Sequence, residues 1–122
     1  MSDTVVIFVY GTLKRGQRNH HYLAKQNFLG EAQTIAQYRI YDLGPHPIIV
    51  HDPEKGLAVH GELWEVDETC LQKLDEFEEV PEIFYRQDII VANYYGEPPQ
   101  AYFRHEPPPA NTLSGDCWPL PD

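Results

Sequence analysis

Basic residues are scarce in this chain of 122 residues. Nine lysines and arginines stand against nineteen aspartates and glutamates, which leaves a formal net charge of -10 at pH 7. Proteins bind nucleic acid largely by neutralising its phosphates. The local basic cluster of Lys14, Arg15 and Arg18 is too small to form the basic stripe that such binding needs. We therefore expect no nucleic-acid partner.

Cysteine and long hydrophobic runs are scarce as well. Cys70 and Cys117 are too few for a disulfide framework and match no metal-ligand spacing, so we expect free thiols in a reducing compartment. No hydrophobic run approaches the roughly 20 residues of a membrane-spanning helix, and the first residues show no basic region followed by a cleavage site. These absences predict a cytoplasmic protein with no membrane partner.

The chain does contain a series of short segments typical of strands. Val5–Val9 is an uninterrupted apolar run, which predicts a strand buried on both faces. Further strands are predicted over residues 38–43, 48–50, 57–66 (with a bulge or close backbone approach at Gly61), 83–92 and 100–103, the last two as a hairpin. Asn19 is placed to cap a short helix that reaches Leu23 and extends towards Phe28, and Asp67 to cap a second helix that ends near Glu79. The pattern predicts an α+β fold.

Proline is concentrated at the C-terminal end. Residues 107–109 are all proline, and two more prolines follow at 119 and 121. Such a composition favours an extended segment on the surface. We therefore expect one domain over residues 1–106 and an extended tail over residues 107–122.

The second predicted helix carries one glutamate in an unusual position. At 100° per residue, its apolar residues form one arc, and Glu78 falls inside that arc near Leu74 and Leu71. Desolvation, the helix dipole and nearby acidic residues would raise the pKa of Glu78, as expected of a general acid or base. The same acidic stretch is also typical of a solvated, frayed helix end, so the pattern alone leaves both interpretations open.

A turn follows directly after the first strand. Its residues, Tyr10, Gly11, Thr12 and Leu13, can aim successive backbone N–H groups at an anion or a carbonyl oxygen. The histidines have no metal-ligand spacing, and no Gly-x-Ser-x-Gly segment is present. We therefore expect neither a metal site nor a nucleophilic serine. Among the strand aromatics, Tyr85 and Tyr102 are candidate pocket residues.

Together these segments resemble the γ-glutamylcyclotransferase-like family, and within it the γ-glutamylamine cyclotransferases. The resemblance covers residues 5 to 104. Three stretches carry it: Val9-Tyr10-Gly11-Thr12-Leu13-Lys14-Arg15-Gly16-Gln17-x-Asn19-His20, Gly61-Glu62-Leu63-x-x-Val66-Asp67, and Leu74-Asp75-x-Phe77-Glu78-x-x-Pro81 followed by Arg86. It implies a mixed, barrel-like sheet of five to seven strands flanked by one or two short helices.

The resemblance also implies an activity. The α-amine of a γ-glutamyl amine or amino acid attacks its own γ-carbonyl, giving 5-oxoproline and a free amine with no cofactor, and Glu78 acts as general acid and base. The expected substrate-binding residues are Tyr10, Gly11, Thr12, Leu13, Asn19, Tyr85 and Arg86. Whether Lys14 or Arg86 meets the substrate α-carboxylate stays open. Phe84 stands where family members often have tyrosine, which leaves a hydroxyl contact to the leaving group open.

Two other classes of function stay open at this point. One is a binding protein of the same fold without catalysis, and the other is an interaction module that uses the acidic surface and the proline-rich tail. The expected partner is a small γ-glutamyl compound. The sequence leaves the oligomeric state open, with a monomer favoured.

Overall fold

The computed structural model describes residues 4–121, which form one curled sheet with a short helix on one side. The strands are β1 (Val5–Val9), β2 (Asn27–Asp42), β3 (Pro47–His51), β4 (Leu57–Val66), β5 (Phe84–Asp88), β6 (Gln100–Arg104) and β7 (Ser114–Gly115). The helices are α1 (Glu68–Phe77) and one turn of 3₁₀ helix (His20–Leu23). No helix within residues 4–121 is long and apolar enough to cross a membrane.

The sheet is mixed and curved. Its strands follow the order β3-β2-β4-β1-β6-β5, and β7 pairs with β2. The β1–β6 pair is parallel, and the other pairs are antiparallel. Strand β3, at one edge, also packs against β6, next to the opposite edge, so the sheet curls towards a half-barrel. The predicted α+β class and barrel-like mixed sheet are therefore confirmed.

Both faces of β1 are buried, as its apolar sequence predicts. Ile7 and Val9 pack in a cluster that includes Cys70 and Leu74 of α1, whereas Phe8 packs in the cluster on the other face. Because side chains alternate along a strand, one short run serves both clusters. The end of β1 therefore lies between the two clusters.

Strand β4 runs from Leu57 to Val66, the predicted range. A side chain at Gly61 would collide with the Phe8 ring and the Val9 carbonyl oxygen, so the predicted close approach is confirmed there. The predicted cap of α1 is also present, since the Asp67 carboxylate accepts a hydrogen bond from the Cys70 N–H at 2.8 Å.

Strand β2 differs most from its prediction. It begins at Asn27, eleven residues before the predicted start at position 38, and Phe28 belongs to it rather than to the preceding helix. Its first half pairs with β4 through several register shifts and leaves mostly polar side chains exposed, so no hydrophobic alternation marks it. The 3₁₀ helix is also not capped by the Asn19 side chain, which bonds to Thr12 instead.

The C-terminal segment is partly built into the domain, which corrects the expectation of an extended surface tail over 107–122. Ser114–Gly115 pairs with β2, and the Trp118 ring is buried in one of the two clusters. The Trp118 Nε1–H donates to the Asp42 carboxylate at 3.1 Å. Burial of a large aromatic ring with its N–H satisfied outweighs the preference of proline for the surface.

Candidate active site

A cavity of about 420 Å³ opens where β1, the following loop, the start of β3, the end of α1 and the β5–β6 hairpin meet. Six of the eight predicted site residues line it: Tyr10, Gly11, Thr12, Leu13, Asn19 and Glu78. The loop and Glu78 are more than 60 positions apart in the sequence, and the fold places them around one space. Tyr85 and Arg86 do not line it.

The loop after β1 is shaped by a close approach to β3. A Cβ atom on Gly11 would lie 2.5 Å from Cγ of Pro47, so no larger residue fits there without movement. Asn19 closes the loop, because its N–H donates to the Thr12 carbonyl at 3.0 Å and its side-chain amide donates to the Thr12 hydroxyl at 3.0 Å. Within residues 4–121, the N–H groups of Gly11, Thr12 and Leu13 have no acceptor. They are free to bind an oxygen of a ligand.

Glu78 caps the C-terminal end of α1. The chain turns away directly after it, because Glu79 takes a left-handed conformation (φ 52°) and Val80 N–H bonds back to the Asp75 carbonyl at 2.9 Å. This ending leaves the partly buried Glu78 side chain against the cavity. Burial raises the pKa of Glu78 from 4.5 to about 7, in the direction that the sequence predicts.

Two tyrosines share the cavity with Glu78, and each of their hydroxyl groups donates its proton to an oxygen of the protein. The Tyr10 hydroxyl donates to the Tyr102 carbonyl oxygen at 2.7 Å, and the Tyr102 hydroxyl donates to Asp75 at 2.7 Å. Burial raises the pKa of each hydroxyl, the hydrogen bond to Asp75 and its charge raise that of Tyr102 further, and the charge of Glu78 adds to both rises. Both tyrosines therefore stay protonated and lie within electrostatic range of Glu78.

Arg86, predicted as a substrate ligand, lies outside the residues that line the cavity. Its guanidinium holds Asp75 at both carboxylate oxygens, at 2.9 Å and 3.2 Å, and donates to Gln100 at 2.6 Å. Tyr85 is also absent from the cavity lining. Its ring stacks on Phe103 on the other face of the hairpin, because successive strand residues point to opposite sides.

The three basic side chains of the loop, Lys14, Arg15 and Arg18, have different surroundings. The Lys14 ammonium donates to the Trp118 carbonyl oxygen at 2.6 Å, and Arg15 pairs with the carboxylate of Glu62. Arg18 is exposed, lines the cavity and has no hydrogen-bond or ion-pair partner within residues 4–121. Of these three residues, Arg18 is thus the cation available to a ligand, whereas the sequence left open whether Lys14 or Arg86 has that role.

Glu62 of β4 holds the same loop through Arg15. Its buried carboxylate accepts hydrogen bonds from Arg15 N–H at 3.0 Å, Arg15 Nε at 3.1 Å and Trp64 Nε1 at 3.1 Å. Burial alone would raise the pKa of Glu62, but these hydrogen bonds from Arg15 and Trp64 outweigh burial and hold the pKa below 4.5. Glu62 is therefore an ionised support for the loop.

Several cavity residues were not predicted as site residues. These are chiefly Arg18, His46, Phe77, Phe84 and Glu79. His46 lies in the turn before β3 and its ring packs near Phe84 at 6.4 Å. The glycine and prolines of residues 44–47 predict a turn at this place in the sequence. Nothing in the sequence pattern shows that this turn contacts the β5–β6 hairpin. Tyr102, a candidate pocket residue from the sequence, does line the cavity.

Comparison with known proteins agrees with this arrangement. The family model described as "Gamma-glutamyl cyclotransferase, AIG2-like" matches residues 7–119. This chain belongs to that family of enzymes. The match extends past the predicted limit at residue 104 and includes the segment that carries Trp118.

Curated relatives from human and rat are among those named γ-glutamylaminecyclotransferase. The human protein is 38% identical over 114 residues, an alignment that covers 88% of this chain and 72% of the relative. The rat protein is 44% identical over 87 residues, covering 66% of this chain but 58% of the relative, so the match spans less than two thirds of that protein. A crystal structure of an AIG2-like protein from mouse superposes with a TM-score of 0.81 at 31% identity, covering 94% of this chain and 88% of that one.

Proposed function

We propose that this protein converts γ-glutamyl amines or γ-glutamyl amino acids to 5-oxoproline and a free amine. The substrate α-amine attacks the γ-carbonyl carbon of the same molecule, the C–N bond to the leaving group breaks, and the five-membered lactam closes. Because the nucleophile belongs to the substrate, the site has three tasks: to fold the glutamyl chain, to move one proton and to stabilise an oxyanion.

Glu78 is the proposed proton carrier, and the observation that carries the proposal is its place, partly buried, in the cavity that the loop after β1 also lines. An α-amine titrates near 8 and an ordinary glutamate near 4.3, so proton transfer between them is uphill by about 5 kcal/mol. With the Glu78 pKa at about 7, the gap shrinks to about 1.4 kcal/mol. The same carboxyl group, once protonated, returns the proton to the departing amine.

The loop after β1 supplies the proposed oxyanion site. Free N–H groups at Gly11, Thr12 and Leu13 lie on the cavity wall, where a developing negative oxygen can be met without reorganisation of water. Arg18 is placed to pair with the substrate α-carboxylate as the unpartnered guanidinium in the cavity lining. These contacts together would hold the glutamyl part of the substrate.

A product assay tests the reaction. Purified protein is incubated with a panel of γ-glutamyl amines and γ-glutamyl amino acids, and 5-oxoproline, free amine and glutamate are measured together. We expect 5-oxoproline and amine in equal amounts, and no product from a panel member whose α-amine is acetylated. Glutamate in place of 5-oxoproline would indicate hydrolysis instead, and binding without any product would favour a non-catalytic binding protein.

A further inference from the structure

A charged network spans three elements behind the cavity wall. Asp75 of α1, Arg86 of β5 and Tyr102 of β6 meet there, and Arg86 and Tyr102 lie opposite each other in the β5–β6 register. Arg86 grips both oxygens of Asp75, and one of these oxygens also accepts the Tyr102 hydroxyl at 2.7 Å. A bidentate pair of this kind fixes orientation as well as charge.

The network fixes the direction in which the Tyr102 hydroxyl donates its proton. A phenol has one proton to donate and lone pairs to accept with. Because the proton is given to Asp75, the oxygen is left as an acceptor. Tyr102 lines the cavity that holds Glu78, and its hydroxyl lies within electrostatic range of the Glu78 carboxylate.

The neighbouring aromatic residues cannot take that place. Phe84 has no hydroxyl, and the Tyr10 hydroxyl both donates to the Tyr102 carbonyl oxygen and accepts a hydrogen bond from the Ile49 backbone. Beside the exposed carboxylate of Glu79, the described cavity lining thus offers two further side-chain oxygen acceptors, Glu78, which is able to take a proton, and Tyr102, which is not.

We propose that the Tyr102 hydroxyl oxygen accepts a hydrogen bond from the substrate α-ammonium, with Asp75 and Arg86 as positioning residues. This inference rests on the proposed function. Tyr102 holds one N–H of the ammonium, while a second N–H bond breaks and its proton forms an O–H bond with Glu78. The nitrogen lone pair released by that transfer then attacks the γ-carbonyl carbon. Tyr102 itself neither gains nor loses a proton in this step.

Removal of the hydroxyl alone is the first test. Tyr102→Phe keeps the ring in the core and should lower kcat/KM for the best γ-glutamyl substrate by about 10- to 100-fold. Tyr41→Phe is the matched control, a partly buried tyrosine of β2 outside the cavity lining, and should leave kcat/KM unchanged. A wild-type value for Tyr102→Phe would overturn the proposal.

A double-mutant cycle separates positioning from general damage to the fold. Asp75→Ala should lower kcat/KM about as much as Tyr102→Phe, and the double variant should lose no more than either single variant. Asp75→Asn keeps an oxygen that accepts the hydroxyl, so it should recover part of the loss. Additive losses in the double variant, with no recovery in Asp75→Asn, would show a purely structural role and overturn the proposal.

The proposed function and this inference fail in different ways. If the wild-type protein forms no 5-oxoproline from any panel member, the proposed function fails. If the wild type is active and Tyr102→Phe is equally active, only the assignment of Tyr102 fails.

Discussion

Replacement of Glu78 by glutamine should make the protein more stable at alkaline pH. Burial raises the pKa of Glu78 from 4.5 to about 7, so between these values the folded chain keeps a proton that the unfolded chain has lost. The free energy of unfolding therefore falls as pH rises through this range and stays low above it. The raised pKa lowers the free energy of unfolding by at most about 3 kcal/mol at pH 8, and by less than about 1 kcal/mol at pH 5.

Glu78→Gln removes the ionisable group and with it this pH-dependent loss of stability. Urea unfolding of wild type and variant at pH 5 and pH 8 measures the difference in unfolding free energy. In thermal unfolding at pH 8, the melting temperature of the variant should be higher than that of the wild type by on the order of 10 °C. Glu76→Gln is the control, an exposed glutamate on the same helix, and should change stability equally little at both pH values. An equal effect of Glu78→Gln at both pH values would refute the argument from burial.

Three further changes test other parts of the structure. Glu62→Gln should cost about 2 kcal/mol of unfolding free energy and raise KM, because the loop loses its charged support at Arg15; an unchanged KM would argue against that role. Glu79→Gly should stabilise the fold by about 1 kcal/mol, since glycine takes a φ of 52° without strain, and denaturant unfolding that shows a loss would contradict this. Trp118→Ala should lower the free energy of unfolding by about 3 kcal/mol in the same denaturant assay, whereas an unchanged value would place the C-terminal segment outside the core.

Local patterns in the sequence were sufficient for the elements next to the site. The apolar run of β1, the bounds of β4 and the Asp67 cap could all be read directly because each depends on neighbouring residues. The helical arc that contains Leu74 also identified Glu78 as the acidic residue turned towards the interior. Its raised pKa agrees with that pattern.

Features that depend on distant partners were not visible in the same way. Arg86 has the chemistry of a carboxylate ligand, but its partner Asp75 is in the chain itself and is reached only when α1 packs beside the hairpin. Trp118 stands among prolines, and its burial depends on Asp42 and the far end of β2. Residue type states what a side chain can bind, whereas tertiary packing decides what it meets.

The most direct measurement of the central claim compares turnover and binding in Glu78→Gln. The variant and the wild type are given the best γ-glutamyl substrate, 5-oxoproline formation is followed, and substrate binding is measured by calorimetry on the same samples. If Glu78 carries the proton, turnover should fall by at least about 100-fold while the dissociation constant changes little. Turnover within a few-fold of wild type in a folded sample would contradict the claim.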